Sequence, residues 1–429
     1  MSLKILKFES KLARIVLIIA ALLCIAAAWF SIKWNFANAI SSRIDPALPE
    51  SSLVADWLTE IAPSDPQTHY TSALLLEKTF DSSDLTRSLR EYELTAALSP
   101  HNYVMWLNLG KARSQNGDPA GAEGAYRRAL ELAPNYSAVQ WVYGNSLLRR
   151  GETDEGFAMI ARSAASSPEY SRTAVTTALQ IFDGDLIQVR RVLGDDEVTN
   201  AALVTALAGG QRFDDALEAW SKFDAEDKLG KFNKLGETLA GQMAEAKKYQ
   251  LAAHVAADIR AIEAEKPVVG QVGNGGFENG VKRRSAGVFE WQIAEGGEPQ
   301  IGLSEEQKRS GNYALFMLFN SFDTASFRVV SQIVAVVPGA EYEFQVFYRS
   351  DLKTSAILKW EIVDAATTAP IASTPTMALS GDWTSLKAKF IVPPGGDGVV
   401  IRLVREGCTG LTCPMTGKAA FDDFSMRRL

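Results

Sequence analysis

Histidine and cysteine are scarce in this chain, three of each in 429 residues. His69, His101, His254, Cys24, Cys408 and Cys413 leave little from which to build a His/Cys metal site. No H-E-x-x-H, C-x-x-C or G-x-S-x-G occurs, so no local catalytic signature is present. Phosphate-cradling loops are missing too. "VGNGGFENG", residues 272–280, offers Gly273 and Gly275 as the first pair of a dinucleotide fingerprint, but the third place falls on Glu278 and no helical pattern follows. Each Gly-Lys pair, at Gly110, Gly230 and Gly417, is followed by Ala or Phe where a P-loop needs Ser or Thr. Positive charge is not in excess either: a net charge of −7 and a pI near 5.3 argue against a general nucleic-acid binder.

What is present is an ordinary globular composition, 47% hydrophobic and 22% charged, at a length that suits two or three domains. From Ile15 to Ile32 the only polar residue is Ser31. As a helix, that run spans about 27 Å, close to the hydrocarbon thickness of a bilayer. Lys4, Lys7, Lys11 and Arg14 precede it against Glu9 alone, and Trp29 and Trp34 stand where an interfacial aromatic belt belongs. We read a cytoplasmic tail over 1–11, a signal anchor over 12–34 in a bacterial inner membrane, and a linker over 35–52, with the rest on the periplasmic side. A cleaved signal is the rival: Ala26-Ala27-Ala28 would cut within the apolar run, and Ala37-Asn38-Ala39 well beyond it. A lipoprotein reading at Cys24 fails because Leu23 occupies the place of a small residue.

Pro66, Pro100, Pro134 and Pro168 lie 34 residues apart. Within one period stand Trp106, Leu109, Gly110, Ala122, Tyr126, Ala129 and Pro134, and proline cannot continue a helix interior. This spacing resembles the tetratricopeptide repeat, and helical pairs continue to about residue 265. The resemblance implies an α-solenoid over 53–265 that binds protein partners along a concave face. Trp106, Tyr126, Trp141 and Trp220 are read as core.

After a linker over 266–272 the period changes to two. "YEFQVFYRS" sets Tyr342, Phe344, Val346 and Tyr348 on one face, with Glu343, Gln345, Phe347 and Arg349 on the other. "AILKWEIVD" groups Leu358, Trp360 and Ile362, and "VVIRLVREG" sets Arg402 against Ile401 and Leu403. About eight strands over 273–429 fit a two-sheet jelly roll. The order "NGGFENG", "SGNYALFM", "SQIVAVVPGAEYEFQVFYRS", "GDWTSLKAKFIVPP", "AFDDFSM" is similar to carbohydrate-binding modules with the galactose-binding-like jelly roll. That resemblance implies a structural calcium near the chain ends, for which Glu278 with Asp422 or Asp423 are the candidates. The other reading of these carboxylates is solvated turn and edge positions. It also implies sugar binding. The candidate residues are Phe347 with Gln345 and Arg349, Glu361 and Arg402 nearby, and Trp291 in a loop. Trp360 is assigned to the core by parity, and Trp383 resembles the family's structural tryptophan. Cys408 and Cys413 frame a short loop and commonly would pair on the oxidising side of a membrane.

The fold class expected is therefore multidomain α + β: a transmembrane helix, an all-α solenoid and an all-β sandwich. The function expected is a non-enzymatic envelope scaffold in polysaccharide assembly or export. A scaffold whose sandwich has lost sugar binding is the first rival. An accessory glycoside hydrolase, needing a carboxylate pair about 5–9.5 Å apart, is the second.

Overall fold

The computed structural model describes residues 10–44, 51–79, 81–282, 284–322, 327–408 and 412–429. Lys4, Lys7 and Glu9 lie outside them. Fifteen α-helices precede two antiparallel sheets among the described residues. By compactness the chain divides between Gly194 and Asp195.

The first unit opens with α1 (Lys11–Ser41), long and apolar enough to cross a membrane. Ile15 and Leu23 on it are exposed, so no packing within the chain explains its apolar surface. The helix runs past Trp34 into the segment read as a linker. There Ala37 is buried with Leu58 and Ala62, and Phe36 meets Trp57 edge-on at 6.2 Å. Residues 51 and 52, the other end of that segment, begin α2 (Ser51–Ile61).

The helices α3 (Pro66–Glu77), α4 (Ser82–Leu98), α5 (Tyr103–Gln115), α6 (Pro119–Leu132), α7 (Ser137–Arg149), α8 (Thr153–Ser166), α9 (Pro168–Ile181) and α10 (Leu186–Leu193) follow. Asp65, Asp81, Asn102 and Asp118 cap α3 to α6 by accepting backbone N–H groups of the first turn. The periodic prolines play two parts. Pro100 and Pro134 stand in the turns before α5 and α7, whereas Pro66 and Pro168 are the first residues of α3 and α9, where a missing N–H costs nothing. Gly110 lets α5 and α6 meet closely, since a Cβ there would lie 2.5 Å from the Tyr126 ring. Tyr126 is in turn almost fully buried.

The second unit begins with α11 (Glu197–Gly209), α12 (Phe213–Ser221), α13 (Ala225–Leu229), α14 (Asn233–Glu245) and α15 (Tyr249–Asp258). The strands are β1 (Gln292–Ile293), β2 (Gln300–Ser304), β3 (Ala314–Ser321), β4 (Val330–Ala335), β5 (Glu341–Ser350), β6 (Lys353–Thr354), β7 (Ile357–Asp364), β8 (Pro370–Ser373), β9 (Ser380–Ile391), β10 (Gly398–Glu406) and β11 (Met415–Arg428). One sheet has the order β1-β4-β10-β7-β8, the other β2-β3-β11-β5-β9 with β6 paired to β11. Between them Tyr342, Phe344, Trp360, Ile362, Ile401 and Phe421 form part of one core.

The last helical pair is fastened to the sandwich. The Tyr249 hydroxyl donates to the Ala365 carbonyl at 2.9 Å, and the Gln250 amide side chain donates to the Val336 carbonyl at 3.0 Å. Gly398 makes this possible, because a Cβ there would stand 2.3 Å from the Tyr249 ring.

Candidate functional site

The six-stranded sheet turns one face to the core and the other outwards. Strand parity assigns the outward positions, and the register aligns them. Phe347 on β5 pairs with Ser385 on β9 and with Asp422 on β11. Arg349 pairs with Ala420, which pairs with Phe316 on β3, which pairs with Gly302 on β2. The two small residues keep this row low beside the half-buried Phe316 and Phe347 rings. Gln345 is half-buried two residues along β5.

Phe347 faces outwards but is not bare. The Arg309 guanidinium lies over its ring, 3.6 Å from the centroid. Arg309 is held there by an ion pair to Asp423, while its backbone N–H donates to Asp422 at 2.8 Å. Arg349 donates to the Gln307 side-chain carbonyl and has no ion pair among the described residues. At the far end of the face Glu343, only 8% exposed, accepts from Arg427 at 2.8 Å and lies 3.6 Å from the Lys387 ammonium. Burial pushes the Glu343 carboxyl up, but these two cations and Lys389 outweigh it and hold its pKa below the ordinary value.

Two expected companions are elsewhere. Glu361 and Arg402 pair with each other at 2.7 Å on β7 and β10, on the outer face of the other sheet. Two strands of matching parity need not share a sheet, and only the long-range register decides it. Trp291 is no surface platform either. It is 2% exposed, and its indole N–H donates to the Asn274 carbonyl at 3.1 Å. The loop that carries it folds back over Phe277 and Phe424. Trp360 is fully buried. Trp383 is half-buried near an irregularity in the β5–β9 register.

The carboxylates expected to hold calcium gather around Gly276, where a Cβ would lie 3.7 to 4.0 Å from atoms of Asp422, Glu278 and Asp423. They are engaged with donors. Glu278 accepts the backbone N–H groups of Asn312 at 2.8 Å and Tyr313 at 3.1 Å, which lowers its pKa. Asp422, fully buried, accepts those of Arg309, Ser310 and Asp423, yet burial raises its pKa. Asp423 accepts from the Ser310 hydroxyl at 2.6 Å. No group of three His, Cys, Asp or Glu placed to hold a metal ion occurs among the described residues. The arrangement is a clasp closing the glycine-rich lead-in, 273–280, onto the turn before β3. Cys408 and Cys413 are joined by a disulfide with Cα atoms 5.5 Å apart.

Sequence reasoning passed over Phe316 and Arg309. "ALFMLFNS" is apolar at both parities, so it hides which ring faces out. Arg309 lies in a loop and leaves no periodic trace.

The first unit holds a second feature. Cavities of about 490 and 470 Å³ share Lys111 and Gln115 and so form one groove along α3, α5 and α7. Glu77, Lys111 and Asn145 line it at 34-residue intervals, each repeat supplying the same position. Lys78 and Arg149 stand at its two ends.

No protein-family model and no curated protein matches the chain. Similar solved structures include TmCBM61 in complex with β-1,4-galactotriose, 16% identical over 36% of this chain and 96% of that one, TM-score 0.27. A CBM4 structure is 14% identical over 37% and 99%, TM-score 0.29. The MamA RS-1 ArsTM double mutant is 12% identical over 38% and 93%, TM-score 0.30.

Proposed function

We propose that this chain is a non-enzymatic scaffold of a bacterial envelope, anchored in the inner membrane by α1, with its folded units periplasmic. The groove along α3, α5 and α7 holds a protein partner, and the outward face of the six-stranded sheet holds glycan, in polysaccharide assembly or export. The observation that carries the glycan reading is the row of Phe316, Ala420 and Arg349 beside Phe347: rings for a pyranose face, low ground between them, and a guanidinium for hydroxyls. Of the carboxylates on this face, Glu341 is exposed at the start of β5, and two others weigh against the hydrolase reading. Glu343 and Asp422 are buried and fully engaged, so neither is free to protonate a leaving group. The burial of Ala37 against Leu58 speaks against cleavage after Ala39, which would remove it, while a cut after Ala28 would fall within the apolar run.

Affinity electrophoresis of the full chain in detergent against a panel of bacterial polysaccharides tests the reading, with reducing-end release assayed alongside. Retardation without release is expected. Release would make the chain a hydrolase, and no retardation would leave a protein scaffold. A reporter fused after Leu429 is expected to be active only outside the cytoplasm, and cytoplasmic activity would reverse the orientation.

A further inference from the structure

The outward face of the six-stranded sheet is charged unevenly. Its strands present six cations, Arg349, Lys353, Lys387, Lys389, Lys418 and Arg427, against three carboxylates, Glu341, Glu343 and Asp422. Lys389 and Arg427 both pair in register with Glu343, and Lys387 is one position along, so three cations share one buried carboxylate. Arg349 and Lys418 have no ion pair among the described residues, and Lys418 is exposed. The outer face of β7 and β10 is different. There Arg402 pairs with Glu361, and Lys359 with Glu406 at 2.5 Å, so each cation is matched. A protein of net charge −7 has thus kept an excess of cations on the face that carries these half-buried outward rings.

The spacing matters as much as the sign. Along β5 the levels of Arg349 and Glu343 are six residues apart, about 20 Å in an extended strand. Phe347 and Gln345 lie between them. Cations therefore sit at both ends of an aromatic centre, along a line several sugar rings long. A neutral glycan has no use for unmatched cations. A carboxylate takes charge-assisted hydrogen bonds from Arg and Lys, and the summed field draws a polyanion in.

Resting on the glycan reading above, we propose that the ligand class is an acidic polysaccharide, with uronic-acid or similar carboxylates placed against Arg349 and against the Lys387–Lys389–Arg427 cluster. The rings hold the sugar faces, and the cations choose the charged repeat.

The test uses the full chain in detergent with polygalacturonate, alginate and hyaluronate, each beside its own carboxyl-reduced form, and polyglutamate as a charged polymer without sugar. At least one acidic polymer should bind tenfold or more tighter than its reduced form, weaken as salt is raised, and outcompete polyglutamate. Arg349→Gln should lose about tenfold for that polymer with the thermal melt unchanged. The double variant Lys387→Gln/Lys389→Gln should also lose about tenfold while keeping the native circular dichroism spectrum, its melt lowered because Glu343 then keeps only Arg427. Equal or tighter binding of the reduced forms overturns the acidic class and leaves the glycan reading standing. Polyglutamate binding as tightly as the best polymer makes the face a general polyanion surface and also overturns the proposal. If neither acidic nor reduced polymers bind, the glycan reading itself falls.

Discussion

Phe347 shows how much a single side chain can hide. Its parity faces it outwards, yet Arg309 covers the ring, so a sugar must stack on the guanidinium or displace it. Arg349 is the cleaner probe, because its side chain makes a hydrogen bond to Gln307 and no ion pair among the described residues. Hydrogen bonds to charged groups contribute about 1.5–3 kcal/mol, so Arg349→Ala should weaken glycan binding roughly 10- to 150-fold in a titration. Unchanged affinity would remove Arg349 from the site. At the other end of the chain, His69 is buried 2.5 Å from Glu91 and 3.0 Å from the Pro63 carbonyl. Burial pushes the imidazolium down, but the bonds to Glu91 and Pro63 outweigh it and raise the pKa above 6.5. A raised pKa stabilises the folded state below about 6.5, and that contribution is lost as pH rises through the folded value. Melts between about pH 5.5 and 8.5 should therefore show a loss of stability in the wild type that Glu91→Gln lacks. Parallel profiles would mean the imidazole stays neutral.

Among elements, the periodic ones were legible in the sequence and the joins between them were not. The 34-residue beat marks the helical pairs because Gly110 and Ala122 must recur wherever two helices meet closely. Alternation likewise sorts β5 into a core face and an outward face. Parity is local, however, and sheet membership is not. Glu361 and Arg402 are outward residues of the other sheet, so their charges never reach Phe347. Trp291 misleads for a similar reason: its loop is irregular, and only the backbone acceptor at Asn274 shows that the indole is inside. The carboxylates at the sandwich end are a different matter. Glu278, Asp422 and Asp423 do converge, but on N–H and hydroxyl donors. Glu278→Ala should lower the melting temperature of the second unit even in chelator, while chelation alone leaves the wild type unchanged. A chelator-induced drop that Glu278→Ala abolishes would instead establish the calcium site.

For the whole molecule, the helices from Asp195 onward belong to the same compact unit as the sandwich. Tyr249 and Gln250 donate to backbone carbonyls of the sandwich, so removing their helix leaves those acceptors to water and uncovers Gly398. A chain of residues 195–429 should melt in one transition. Tyr249→Ala in it should lower stability by about 3–5 kcal/mol, the usual range for a large buried aromatic. An unchanged melt would separate the helices from the sandwich.

The central claim is that glycan lies on the outward face of the six-stranded sheet, and hydroxyl-radical footprinting of the full chain with and without a bound polysaccharide tests it directly. Oxidation of Phe316 and Phe347 should fall when glycan is present, while the exposed Tyr136 and Ile187 of the first unit stay as reactive as before. Protection confined to residues near Glu361 and Arg402 would place the ligand on the other sheet and contradict the account.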